Sequence, residues 1–213
     1  NGDGTFEISE KTIVGIQPRG GASADLNGDG FIDAVVADIK SKTISVVMGT
    51  GPRSWQDGIP IDMSPGTPRY ISLDDFDNDG DIDFAALDKE GGNFWLFHND
   101  GKANFTLEQT VEVNSSPHSM DIVDIDGDAD LDFIVCHVDS VTQFILYNDG
   151  TGHVEAMQGI SMSGGTAEVK CSDINNDGMF DIVTANVNDS SPGASVLLQR
   201  ECSDCDGWAD CPP

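Results

Sequence analysis

Four nonapeptides place short, oxygen-bearing side chains at alternate positions: DLNGDGFID from Asp25, DFDNDGDID from Asp75, DIDGDADLD from Asp124 and DINNDGMFD from Asp173. Positions 1, 3, 5 and 9 are carboxylates or amides in every copy. Alternate side chains of a tightly turned loop converge, and a main-chain carbonyl at position 7 adds a further oxygen. Such a cage suits a hard cation of calcium size, which takes roughly six to eight oxygens. The side-chain ligands would be Asp25, Asn27, Asp29 and Asp33 in the first loop and Asp75, Asp77, Asp79 and Asp83 in the second. The third offers Asp124, Asp126, Asp128 and Asp132, and the fourth Asp173, Asn175, Asp177 and Asp181. Position 7 is Phe31, Asp81, Asp130 or Met179, a variety that suits a main-chain ligand.

An EF-hand opens in the same way, but it needs a bidentate Glu at position 12 and flanking helices. Position 12 here is Val36, Ala86, Val135 or Thr184, inside apolar sequence of strand type. One acidic nonapeptide alone is compatible with a polar turn; four at near-constant spacing are not. The third copy departs from the others, because Ala129 replaces Gly at position 6. If a positive φ is required there, Ala resists it, and that site is expected to be distorted or weaker.

The loops recur at intervals of 50, 49 and 49 residues, a period in the range of propeller blades and other stacked repeats. The elements that position them repeat too. In the second copy a strand around Pro68 to Leu73 leads into the loop and DFAALD leaves it. NFWLFHN then ends at Asn99-Asp100-Gly101, and NFTLEQTVEV follows. The third copy reads HSMDIVD, DFIVCHV, TQFILYN, a turn at Asn148-Asp149-Gly150 and HVEAMQGI. Asn, Asp and Gly tolerate the positive φ of tight hairpins. Four short strands per repeat, with no helical period, predict an all-β chain of four-stranded antiparallel blades arranged as a β-propeller over residues 1–200. The fourth copy ends at ASVLLQ and lacks its outermost strand, whereas the N-terminal NGDGTFEISEKTIVG reads as an outermost strand with nothing before it. Two arrangements follow: the N-terminal strand completes the last blade and closes four blades, or the chain is a segment of a larger propeller.

The charge agrees with bound cations. The 213 residues carry 10 Lys and Arg against 38 Asp and Glu, a formal net charge of -28. That excludes a phosphate backbone as partner, which needs a basic footprint, and no apolar run is long enough for direct membrane insertion. Of the 38 acids 30 are Asp, and 16 of those lie in the four nonapeptides. Asp favours turns and is a short-armed ligand, so the bias predicts turns, little helix and up to four calcium ions.

The nonapeptide followed by an apolar strand resembles the FG-GAP or VCBS repeat of integrin alpha-subunit propellers and many secreted proteins. The resemblance covers about Asn1 to Arg200 and is specific in four copies. It implies a β-propeller with calcium in the loops joining the first and second strands of each blade. It also implies a role in adhesion and recognition, in lectin activity, or beside an enzyme.

Outside the loops, Arg19, Arg69 and His118 follow Pro at equivalent places before the first three loops, where the fourth has Thr166-Ala167. They could form a cationic rim that receives an acidic ligand such as a carboxylated sugar; alternatively each pairs with a neighbouring Asp. Phe94, Trp95, Phe97, Phe144 and Tyr147 are expected to be buried between blades, and Trp55 to be exposed. Cys136 and Cys171 are either buried thiols or a bridge. Cys202, Cys205 and Cys211 crowd residues 201–213, which read as the start of a disulfide-rich module. Sequons at Asn104, Asn114 and Asn188 fit surface glycosylation. With calcium loops and cysteines they point to a secreted, extracellular chain. No HExxH, G-x-S-x-G or phosphate-binding glycine loop occurs, so no enzymatic activity is expected. The expected function is a structural or adhesive interaction module with a protein or glycan ligand or other subunits of an assembly. The alternatives are a lectin, and an accessory or catalytic domain of a polysaccharide-degrading enzyme.

Overall fold

A computed structural model describes residues 11–114, 116–162, 164–187 and 193–200. The first ten residues, the tail with Cys202, Cys205 and Cys211, and the sequon Asn188 lie outside the described residues. So does Ser115 of the second sequon.

The described chain is all-β, with 17 strands and no helix. The first sheet orders β1 (Pro18–Ala24), β2 (Asp33–Asp38), β3 (Thr43–Val47) and β6 (Ile59–Asp62). A small hairpin of β4 (Gly49–Gly51) and β5 (Ser54–Trp55) is inserted before β6. The second sheet is β7 (Pro68–Asp74), β8 (Asp83–Asp88), β9 (Asn93–Asn99) and β10 (Phe105–Glu112). The third is β11 (Pro117–Val123), β12 (Asp132–His137), β13 (Thr142–Asn148) and β14 (Val154–Ser161). The fourth has three strands, β15 (Gly165–Ser172), β16 (Asp181–Val187) and β17 (Gly193–Leu197). Every pairing within these sheets is antiparallel, and apart from β3 with β6 each joins consecutive strands, the meander the sequence predicts.

Side-chain alternation explains why the sheets stack. Strand β8 is buried throughout, and its period of two divides it between neighbours. Phe84 and Ala86 join Leu26, Val35 and Ile44 in the seam with the first sheet. Ala85 and Leu87 join Met120, Phe133 and Val135 in the seam with the third. A smaller cluster of Val123, Ile134, Cys136, Val169 and Ile182 fills the seam between third and fourth sheets. The core is therefore three apolar layers between four sheets.

Contacts between first strands run from β1 to β7, β7 to β11 and β11 to β15, and none of comparable extent joins β15 to β1. Among the described residues the four sheets are a succession, not a closed ring. Residues 11–17 form no strand; Thr12 and Ile13 bond to Gln56 and Asp57 of the first repeat.

Phe94, Trp95, Phe97 and Phe144 are buried as expected, Tyr147 is partly buried, and Trp55 is 37% exposed. Cys136 and Cys171 are free thiols beside the third seam, so the bridge alternative is not realised. Asn104 and Asn114 are exposed.

Candidate metal centres

Each nonapeptide connects the first and second strands of its sheet, so all four loops lie at the same corner of their repeats. The backbone turns inward because two positions in each loop have positive φ. Position 4 is Gly28, Asn78, Gly127 or Asn176, with φ between 60 and 84°. Position 6 is Gly30, Gly80 or Gly178 at 85 to 94°, and Ala129 at 79°. Gly and Asn are the residues that tolerate this region. The recurrence of Gly or Asn at position 4 was visible in the sequence but carries meaning only beside the dihedral angles.

The first carboxylate organises the turn. Oxygens of Asp25, Asp75 and Asp173 accept from the amides of positions 5 and 6 at 2.8 to 3.2 Å. In the third loop Asp124 accepts instead from Gly127 at position 4 and Ala129 at position 6, 2.7 and 3.1 Å. The copy with Ala at position 6 thus has an altered turn, as its sequence predicts. Position 5 caps the exit: Asp29, Asp79, Asp128 and Asp177 accept from the amide of position 7 at 2.8 to 2.9 Å.

The ninth carboxylate acts differently. Asp33, Asp83, Asp132 and Asp181 are completely buried. One oxygen of each accepts from the amide of position 2, that is Leu26, Phe76, Ile125 or Ile174, at 2.9 to 3.2 Å. The other accepts from Gly49, Asn99, Asn148 or Gln199 beyond or at the end of the third strand, at 2.6 to 2.9 Å. This side chain fastens the loop to its own sheet, and carboxylate oxygens have further lone pairs for a cation. Burial pushes the carboxyls of Asp83 and Asp132 up to about 6, outweighing the amide donors that pull them down. Asp77 and Asp126 are raised as well, first by burial and then by neighbouring carboxylates.

Convergence is strongest in the middle repeats. Ligand atoms of Asp75, Asp77 and Asp79 lie within 4.8 Å of one another, as do those of Asp124, Asp126 and Asp132, and of Asp77, Asp83 and His98. Amides at position 3, Asn27 and Asn175, donate to Asp29 and Asp177 in the outer two loops, where no carboxylate trio forms. His98 was not singled out from sequence; its Nδ1 is 3.5 Å from Asp77 and its Nε2 faces the Gly152 carbonyl at 3.2 Å. The carboxylates of Asp81 and Asp130 lie against Gly101 and Gly150 in the following turns, consistent with a main-chain role at position 7. The all-oxygen trios of Asp75, Asp77 and Asp79 and of Asp124, Asp126 and Asp132 fit calcium, since like charges at such separations favour a divalent counter-ion.

A second repeated device was missed in the sequence. Side-chain amides of Asn99, Asn148 and Gln199 donate to the carbonyls of Leu26, Phe76 and Ile125, each at 2.8 Å and each in the loop of the preceding sheet. Asn at the last position of NFWLFHN and TQFILYN was the available signal. The equivalent place in the first repeat is Gly49, whose main-chain amide donates to Asp33 but which has no side chain to reach another sheet.

The predicted rim residues do come together. Arg19, Arg69 and His118 line one cavity at the first strands. Among the described residues neither arginine pairs with an Asp; Arg69 instead meets His118.

A sequence profile of the FG-GAP-like repeat matches residues 75–135 and 124–184, together just over half of the chain. No curated protein sequence matches significantly. Among solved structures, BBS1N in complex with ARL6DN, soaked with lead, has a TM-score of 0.54 at 15% identity, covering 87% of this chain and 55% of that one. The mercury-soaked form gives 0.50 at 15% identity over 91% of this chain and 60% of that one. An Agrocybe aegerita lectin recognising non-reducing terminal N-acetylglucosamine gives 0.54 at 17% identity, over 82% of this chain and 50% of that one. The chain thus spans half to three-fifths of these solved chains, and at such identities the likeness concerns the fold alone.

Proposed function

The chain belongs to the FG-GAP-like repeat family, and from that premise we propose that it is a calcium-stabilised β-propeller, or a segment of one, acting outside the cell as a structural or adhesive interaction module. The observation that carries this reading is the recurrence of one acidic loop at one corner of four sheets, with Asp83 and Asp132 buried beside further carboxylates in the middle two. Held together without counter-ions, those carboxylates repel. Asp25, Asn27, Asp29 and Asp33, with their equivalents in the other loops, would hold the ions. Four divalent ions would offset eight of the 28 net negative charges. Ions bound only by the folded chain stabilise it by mass action.

In the second loop, for example, Asp83 holds the loop to the end of the third strand and Asn148 of the next sheet donates to the Phe76 carbonyl of that same loop. An ion there would fix loop, sheet and seam together. The role in this reading is non-catalytic, and the partner is a protein or a glycan. Glycan binding is favoured by a cavity of about 660 Å³ between the first two sheets, where Trp95 and Phe105 lie beside Asp62 and Asn93. Apolar rings with a few polar groups suit a sugar. The lectin among the structural neighbours binds N-acetylglucosamine, which adds to this second reading. Thermal melting with calcium and with chelator tests the first part: the melt should fall on chelation. A glycan array run under both conditions tests the second.

A further inference from the structure

Arg19 and Arg69 occupy one cavity in a chain that has only 10 basic side chains against 38 acids. Their meeting is built into the fold. Strands β7, β11 and β15 each carry a register shift at the residue after Pro68, Pro117 and Thr166, and β1 carries one between Pro18 and Gly21. A bulge releases a residue from the ladder and re-aims its side chain. The released positions include Arg19, Arg69, His118 and Ala167, so four equivalent irregularities serve one centre. Close approach of β1 to β7 brings the arginines side by side: a Cβ on Gly20 would collide with the Arg69 carbonyl, so only glycine allows it.

The hydrogen bonds fix the electrostatics. His118 Nδ1 is 2.8 Å from the Ala167 carbonyl and must donate there. In the neutral ring Nε2 then accepts from Arg69 Nη2, at 2.5 Å. Burial, followed by the charge of Arg69, holds the imidazole below its usual range and therefore neutral. Burial and the charge of Arg19 likewise lower the Arg69 guanidinium. Among the described residues neither arginine has a carboxylate within ion-pair distance. The fold thus holds two like charges together and orients one of them with a neutral donor-acceptor relay. The same cavity, of about 380 Å³, is also lined by Glu168 and Tyr70.

We propose that this cavity binds a small polyhydroxylated carboxylate of the size of a hexuronic acid, with its carboxylate on Arg19 and Arg69 and its hydroxyls on Glu168 and Tyr70. Guanidinium groups recognise carboxylate through paired N–H donors. Glu168 disfavours an anion with no donors of its own and accepts from a hydroxyl, so a ligand carrying both a carboxylate and hydroxyls satisfies both kinds of lining group. The volume is that of a small-ligand site. This names a ligand class for one site of the proposed module, and it rests on that reading only for its biological role.

The test is calorimetric titration of the full chain in calcium buffer with glucuronate and galacturonate, and with glucose, acetate and inorganic phosphate. A uronate should bind saturably in the millimolar range or tighter, with glucose, acetate and phosphate weaker. Arg69→Gln and Arg19→Gln should each weaken it by about tenfold or more. Arg69→Lys, which keeps the charge but not the fork, should retain part of the affinity. Melting curves show that each variant is folded; Arg19 is exposed, so its replacement leaves the core intact. Failure of both uronates to bind the folded chain, phosphate binding more tightly, or equal binding to the Arg19→Gln and Arg69→Gln variants would overturn the site. In each case the calcium-dependent melt, which reports on the module itself, is read separately.

Discussion

The side-chain amide of Asn148 donates to the main-chain carbonyl of Phe76 at 2.8 Å, tying the end of β13 to the acidic loop of the preceding sheet. The same amide reaches the Leu131 carbonyl at 3.2 Å in its own loop. Phe76 is buried, and its ring centroid lies 4.8 Å from that of Phe133 in the next sheet. One residue of the loop thus contributes both a polar and an apolar link across the seam. Metal held by the loop and cohesion between sheets therefore act on the same few residues of backbone.

Replacing Asn148 by Leu keeps the volume but leaves the buried carbonyls of Phe76 and Leu131 without a donor. The expected loss is about 1–3 kcal/mol. For a chain of this size that lowers the melting temperature by roughly 2–4 °C per kcal/mol. Denaturant unfolding in saturating calcium measures it. A change within about 0.5 kcal/mol would remove the seam amide from the account.

Ala129 sits at φ 79° where the other loops have glycine. A left-handed Ala costs about 1–2 kcal/mol. Ala129→Gly should therefore stabilise the chain by about 1 kcal/mol, and should restore the turn in which position 5 donates to Asp124. Gly80→Ala should do the reverse in the second loop. Melting curves of the two variants should move in opposite directions.

Much of this organisation was readable from residue types. Strand boundaries in the second and third repeats follow the alternation of apolar residues and the Asn-Asp-Gly turns, because both are local. Val36, Ala86, Val135 and Thr184 at position 12 lie in second strands, so the exclusion of an EF-hand holds. What the sequence could not show is long-range. That Asp83 is bound by amides of Phe76 and Asn99 depends on two strands meeting its loop, and composition does not distinguish it from Asp79. The pairing of Arg69 with His118 rather than with an Asp comes from bulges in separate strands, 49 residues apart. His98 approaches Asp77 only because the β9 ladder places it there.

Acid should weaken the effect of calcium. Burial raises the carboxyls of Asp83 and Asp132 to about 6, above their values in an unfolded chain. In the metal-free chain these groups favour folding fully below about pH 4, and that contribution is lost as pH rises through about 6. Calcium competes with the protons. The rise in melting temperature on adding calcium should accordingly be small near pH 4.5 and grow to a plateau above about pH 7. A rise independent of pH over this range would contradict the assignment of these two carboxylates.

Cys136 is buried in the third seam, and burial raises its thiol; the Cys171 thiol is pushed up to about 12 by burial and by Asp121. Both should react slowly with a maleimide in calcium, since the thiolate is the nucleophile. Chelation should accelerate the labelling of Cys136 at least tenfold if the seam opens. Labelling of Cys136 at one rate in both conditions would separate seam integrity from metal binding.

The central claim is that the acidic loops hold calcium in the folded chain. An equilibrium calcium titration of the chelator-stripped protein, followed by mass spectrometry under native conditions, counts the ions directly. The account predicts occupancy approaching four, with Asp79→Ala and Asp128→Ala each removing one ion and the third loop filling last. A folded chain that takes up no calcium at millimolar concentration, or whose uptake both substitutions leave unchanged, would contradict it.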